Sequence, residues 1–260
     1  MKERLDKLLV ELGYAPTREK AQALIMAGLV LVDGKVVDKP GHQVKREQRI
    51  EVKEPIKYVS RGGYKLEHAL ENFGLDVHKM VALDVGSSTG GFTDCLLQRG
   101  VDKVYAVDVG KGQMDPKLRQ DPRVILYEET DIREVTQEHI PEKVDIAVVD
   151  VSFISATKVL PHVVPFLKEE GLLLVLVKPQ FEVGPKFVKK GVVKDREAKR
   201  QAIIKVVNFI RELGYKIGGI IKSKPKGSKG NEEFFVLAGR SIPEVEDINK
   251  EVDRALEQVV

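Results

Sequence analysis

The chain has 260 residues, 42% of them apolar, with one cysteine and a formal net charge of +3. That size and composition suit one α/β core plus a small extra domain, and exclude a disordered chain or a disulfide-stapled scaffold. No stretch nears the roughly 18 apolar residues that span a bilayer, and the charged opening MKERLD lacks the apolar segment of a secretory leader, so a reducing, cytoplasmic setting is expected.

Residues 1–54 read as a separate small domain. Leu5, Leu8, Leu9 and Leu12 recur with helical spacing, and Gly13 ends that helix. Thr17 is placed to cap a second helix over residues 18–27, closed by Gly28. Two β-rich runs, 29–32 and 35–37, flank Asp33-Gly34 and predict a hairpin, and residues 50–52 could add a strand. Residues 4–37, RLDKLLVELGYAPTREKAQALIMAGLVLVDGKVV, resemble the small αL-type RNA-binding domain shared by a ribosomal protein, pseudouridine synthases and tyrosyl-tRNA synthetases. The resemblance implies contacts to RNA backbone from Arg4, Arg18, Lys20 and Lys35.

Residues 55–60, with Pro55, read as a short linker, and residues 61–260 as a second domain. Its first helix is expected over residues 64–73, with Leu66, Ala69, Leu70 and Phe73 on one face. Strands are expected over 81–84, 104–107, 124–127, 144–149, 172–177, 216–221 and 233–238, with helical patterns between most of them. A polar loop without a helix joins the last two, which should therefore be antiparallel. The fold class expected is α/β: a Rossmann-like class I methyltransferase sheet of seven mostly parallel strands ending in an antiparallel hairpin, beside the small N-terminal α+β domain.

The stretch VALDVGSSTGGFTDCLL, residues 81–97, is the strongest local signal. An apolar run ends in Asp84, a glycine turn follows with Gly86, Gly90 and Gly91, and Phe92 opens a helical segment containing Cys95, expected to be buried and inert. Strand, glycine turn and helix hold a nucleotide-like ligand at the edge of a parallel sheet. The spacing departs from G-x-G-x-x-G, which disfavours a dinucleotide pyrophosphate. An acid ahead of the loop suits an amine-bearing ligand such as S-adenosylmethionine. Asp108, ending the second strand, could accept both ribose hydroxyls of an adenosyl group, and Asp131 could accept from its adenine amine.

Two more charged residues follow apolar runs: Asp150 in VVDVSF and Lys178 in LVKPQFE. Charges there are costly unless paired, and they could pair across neighbouring strand ends. The same proximity could tune a lysine as a base toward a hydroxyl. That requires its pKa to fall from about 10.4 toward neutrality, through partial burial and a second cation such as Lys65. Residues 178–229 then carry 15 Lys or Arg against 4 Asp or Glu, while residues 1–60 are +3 and the remainder −11. Such segregation suits either a basic face for a polyanion, with Lys189 and Lys190 as candidate contacts, or a long solvated lysine-rich surface.

RGGYKL (61–66), GSSTGGFTD, VVDVSF, LVKPQFE and GNEEF (230–234) together resemble the TlyA-type rRNA methyltransferases, also called hemolysin A, and the FtsJ group of ribose 2′-O-methyltransferases. The resemblance covers nearly the whole chain. It implies a Lys-Asp-Lys-Glu set of Lys65, Asp150, Lys178 and Glu233. Glu233 is preferred to its neighbour Glu232 because the family's glutamate follows Gly-Asn after one intervening residue. Phe92 stands where the FtsJ group usually has tryptophan. The expected activity is S-adenosylmethionine-dependent 2′-O-methylation of ribosomal RNA on a cytidine, without a metal. Rival readings are an RNA-binding assembly protein on a degenerate methyltransferase fold, a membrane-lytic protein and an NAD(P) oxidoreductase.

Overall fold

In the computed structural model, which describes residues 2–259, the chain divides after Lys57 into two units. The first contains β1 (Lys2–Arg4), α1 (Leu5–Glu11), α2 (Arg18–Met26), β2 (Val30–Val32), β3 (Lys35–Val36), β4 (Gln43–Lys45) and β5 (Ile50–Val52). Leu5, Leu8, Leu9, Ala21, Ile25, Val30 and Val44 bury together as its core. Thr17 accepts the backbone N–H of Lys20 at 3.3 Å, and Asp33 and Gly34 both take left-handed backbone, as an Asp-Gly hairpin requires. Leu12 lies just past the end of α1 and is exposed, so the buried stripe stops at Leu9. The antiparallel pairing of β1 with β4 was not expected; three-residue, charge-rich strands carry no readable alternation.

The second unit comprises α3 (Arg61–Asn72), β6 (Val81–Val85), α4 (Gly91–Gln98), β7 (Lys103–Val107), α5 (Pro116–Arg119), β8 (Val124–Tyr127), β9 (Val144–Val149), α6 (Ala156–Val163), β10 (Leu167–Val177), α7 (Pro179–Glu182), α8 (Arg196–Glu212), β11 (Lys216–Lys222), β12 (Phe234–Gly239) and α9 (Ile248–Glu257). One seven-stranded sheet runs β11-β12-β10-β9-β6-β7-β8. The pairs from β10 to β8 are parallel, and β12 is antiparallel to both β10 and β11, which gives the expected terminal hairpin.

Helices cover both faces. Leu66, Ala69 and Leu70 of α3 and Cys95 and Leu96 of α4 pack with one set of sheet residues; Val159 and Leu160 of α6, Ile203, Val206, Val207 and Ile210 of α8 and Val252 of α9 pack with the other. Each of the Leu, Ile and Val side chains gains about 1.5–3 kcal/mol from burial, and the apolar face of α8 is spent on the sheet. No helix among the described residues is long and apolar enough to cross a membrane.

Several boundaries differ from expectation. The first helix of this unit starts at Arg61, because Gly63 lets it pack on the buried Tyr58 ring; a Cβ at Gly63 would lie 2.3 Å from that ring. β10 extends back to Leu167 through an irregularity before Leu172, and the last strand starts at Phe234 with Glu233 just outside it. The chain leaves β6 toward β7 and β8, then crosses to β9 on the other side. This reversal opens a crevice at the carboxyl ends of β6 and β9, where ligands of such sheets sit.

Candidate active site

The glycine loop closes the end of β6. The N–H of Asp150 donates to the carbonyl of Val85 at 2.9 Å, and the chain at Asp150 passes so close to Gly86 that a Cβ there would stand 2.0 Å from the Asp150 carbonyl oxygen. Gly86 also takes φ +84°, so two independent constraints demand glycine. Gly91, opening α4 just after Gly90, meets the Ser60 hydroxyl in the same way, at 2.2 Å from a would-be Cβ. Side-chain-free backbone thus lets α3, the loop and β9 converge.

Two adjoining cavities flank the loop. The first, about 540 Å³, is lined by Val85, Gly86, Asp108, Asp131, Asp150 and Phe153 among others. The second, about 450 Å³, is lined by Arg61, Lys65, Ser87, Phe92 and Asp150, and shares Gly86 and Ser88 with the first. Asp108 accepts the backbone N–H of Ser88 at 3.1 Å and of Gly110 at 2.8 Å, which fixes its carboxylate on the wall. Asp131 caps the turn after β8 and pairs with Arg133 at 2.7 Å; that guanidinium holds its carboxyl below the usual carboxylate range. Phe92 is buried against Phe235, with ring centroids 6.1 Å apart.

Asp84 lies behind the loop and lines neither cavity. Its carboxylate accepts the Thr93 hydroxyl at 2.7 Å, and burial raises its pKa to about 7 despite that bond. Through that bond it braces the loop at the first turn of α4.

The four charged residues form two pairs. Lys65 donates to Glu233 at 2.8 Å, with side chains 11% and 2% exposed, and Gln180 donates to the other Glu233 oxygen at 2.9 Å. Glu233 has room only because residue 227 is glycine, whose Cβ would stand 2.3 Å from that carboxylate. Lys178 sits 2.5 Å from an Asp150 oxygen, an ion pair outside hydrogen-bond geometry, and donates to the Ser152 hydroxyl at 3.0 Å. Lys65 and Asp150 line the same cavity, which brings both pairs to one cleft. Glu232 instead pairs with Lys199 at 2.8 Å and Lys222 at 3.3 Å, away from Lys65.

Gln180 and Ser152 were not singled out in the sequence. Each lies two residues beyond a charged member of the cleft, at a strand-to-loop turn, and that offset was the available signal.

In the first unit, buried Asp6 holds Arg4 at 2.9 Å and Arg18 at 3.1 Å, and also accepts from Gln22 at 2.9 Å. Both arginines remain about half exposed, at 47% and 52%, so Asp6 orients them while leaving their outer faces open. Lys20, Lys35, Lys189 and Lys190 are exposed. Arg4, then Gln22 and Arg18, hold the Asp6 carboxyl well below the usual range against the opposing effect of burial. A depressed carboxylate stabilises the fold above its unfolded pKa of about 3.9, and the stabilisation drains away as pH falls below that. Acid titration followed by circular dichroism should show an N-terminal transition that Asp6→Asn moves and flattens below about pH 4.

Residues 58–240 match the FtsJ-like methyltransferase family, and residues 3–50 match the S4 domain. Over 265 residues the chain is 43% identical to a Bacillus subtilis (strain 168) protein provisionally named rRNA methyltransferase YqxC, covering 98% of this chain and 94% of that one. It is 42% identical over 236 residues to the 16S/23S rRNA (cytidine-2′-O)-methyltransferase TlyA of Mycobacterium tuberculosis (strain ATCC 25618 / H37Rv), covering 90% of this chain and 88% of that one. Among solved structures, a Streptococcus thermophilus protein provisionally assigned as a hemolysin is similar at a TM-score of 0.74 and 38% identity, covering 98% and 94% of the two chains.

Proposed function

The chain belongs to the FtsJ-like methyltransferases, in the TlyA group, and on that premise we propose that it methylates the 2′-oxygen of a cytidine ribose in ribosomal RNA, using S-adenosylmethionine. The observation that carries the reading is the meeting of the Lys178–Asp150 and Lys65–Glu233 pairs at a cleft beside the glycine loop. The cofactor fits the larger cavity: its volume lies within the range of about 300–1,000 Å³ usual for such ligands, Asp108 is fixed on its wall for a ribose, and the adjoining cavity presents the Ser87 hydroxyl buried without a partner. Bound there, S-adenosylmethionine supplies an electrophilic methyl on a sulfonium.

Lys178 would accept the proton of the ribose hydroxyl as that oxygen takes up the methyl group, which the bound donor would supply while leaving as a neutral thioether. Asp150 and Ser152 orient the Lys178 amine. Lys65, held by Glu233, whose other oxygen accepts from Gln180, presents a fixed cation to the same cleft, suited to steady an oxygen that gains negative charge. Asp108 would hold the adenosyl ribose, with Asp131 on the wall of the same cavity and Phe92 on the wall of the adjoining one. The S4 domain grips RNA backbone through Arg4, Arg18, Lys20 and Lys35.

Phe153 adds a further element to the cleft. Its ring is 90% exposed, its backbone takes φ +62°, and the Phe181 ring lies 4.9 Å away. A side chain held outward on left-handed backbone is suited to stack on an unstacked base. Stacking contributes about 1–3 kcal/mol per base, so Phe153→Ala should raise KM for RNA about tenfold and leave kcat at saturating RNA close to that of the parent.

The function is tested by incubating the protein with labelled S-adenosylmethionine and either free rRNA or ribosomal subunits, then mapping the product. Label on a ribose 2′-oxygen is expected. Label on a base, or none on any RNA substrate, overturns the reading.

A further inference from the structure

Away from the cleft, a cavity of about 630 Å³ is walled by two loops, residues 189–194 and 226–232, and by Lys199 of α8. Six lysines line it: Lys189, Lys190, Lys194, Lys199, Lys226 and Lys229. The single acid of the wall, Glu232, is committed to Lys199 and to Lys222. Among the described residues the other five lysines form no ion pair, and all five are exposed. Like charges this concentrated repel one another and raise the local potential, which favours a polyanion over any neutral ligand.

The basin is built to hold its shape. Asn231, 2% exposed, donates to the carbonyls of Gly191 at 2.8 Å and Ser228 at 3.1 Å, and accepts the N–H of Val193 at 3.1 Å, so one buried amide ties the two loops together. The same segment forms the back of the reaction cleft. Gly227 packs on the Glu233 carboxylate, and Arg61, which lines the cleft, donates to the Lys226 carbonyl. A strand with its reacting nucleotide in the cleft would find the basin on the other side of this shared wall.

We propose that the basin of Lys189, Lys190, Lys194, Lys226 and Lys229 is a backbone subsite that binds phosphates of the RNA strand flanking the target nucleotide. Lysines are mobile point charges without the planar fork that reads a base edge, so the subsite contributes affinity and register rather than sequence choice. The proposal rests on the RNA methyl-transfer reading above.

The test is the triple variant Lys189→Gln, Lys190→Gln, Lys229→Gln, made on exposed positions that leave Asn231 and its bonds in place. With rRNA as substrate, KM should rise on the order of tenfold and kcat should stay within about twofold. The slope of log affinity against log salt should fall by about 0.7–0.9 for each phosphate that the variant no longer neutralises. Unchanged KM and salt slope in an otherwise active variant overturn the proposal. If the parent protein transfers no methyl to RNA, the functional reading fails instead, and calorimetric titration with S-adenosylmethionine shows whether the cofactor site survives that failure. Loss of binding to phosphatidylglycerol vesicles with RNA kinetics untouched would assign the basin to a lipid surface and also overturn the proposal.

Discussion

Lys178→Ala is expected to slow methyl transfer by roughly 10³-fold, inside the range of about 10²–10⁴ that a positioned general acid or base supplies, with the fold and the affinity for S-adenosylmethionine preserved. Lys178 follows the last residue of β10, a strand buried between two neighbours, so its stem is fixed while its ammonium reaches Asp150 and Ser152 on the cleft wall. An amine held by a carboxylate and a hydroxyl has few orientations open to it, which is the pre-organisation a proton acceptor needs. Lys178→Arg separates the roles. Arginine keeps the positive charge opposite Asp150 but stays protonated in proteins. If Lys178 accepts the proton, Lys178→Arg should be as inactive as Lys178→Ala in single-turnover assays. If the residue only supplies charge, Lys178→Arg should retain most of the rate. A Lys178→Ala protein within tenfold of the parent would remove Lys178 from the chemistry.

Lys65→Met should cost stability as well as rate. The Lys65–Glu233 pair is nearly closed to water, and removing one member of such a pair typically costs about 3–5 kcal/mol because the other charge is left buried without compensation. In Lys65→Met, Gln180 would remain as a side-chain hydrogen-bond partner of Glu233. Neutralising both members, as Lys65→Met with Glu233→Gln, should recover much of the lost stability while methyl transfer stays impaired. Urea denaturation and single-turnover transfer measure the two effects on the same proteins. Full activity in the stable double variant would show that the pair serves folding alone.

The methyltransferase class was legible because its signals are local. A strand ending in an acid, a glycine turn and a helix occupy 17 consecutive residues, 81–97, and the polar connection ahead of the last strand announced an antiparallel hairpin. The helix of Leu5, Leu8 and Leu9, and the Asp33-Gly34 turn, were readable for the same reason: periodicity and turn chemistry act within a few residues. Boundaries shifted where distant packing intervened, as at Arg61, where the helix extends because Gly63 makes room for Tyr58.

Within the site, the sequence by itself determined which residue types stand at the strand ends. Apolar runs must be buried, and a charge at the end of each had to lie at the sheet rim. Tertiary structure decided how those charges are shared. Lys65 and Glu233 meet across 168 residues of chain, and of the adjacent pair at the mouth of the last strand Glu233 turns to Lys65 while Glu232 turns to Lys199 and Lys222. Successive side chains near a strand point to opposite faces, so a shift of one residue exchanges partners entirely. Likewise Asp84 and Asp108 look equivalent in sequence, each an acid at the end of a strand, yet Asp84 is enclosed behind the glycine loop while Asp108 stands on the cavity wall. Which charge is enclosed and which partner it takes are properties of elements brought together, and periodicity along the chain carries no record of them.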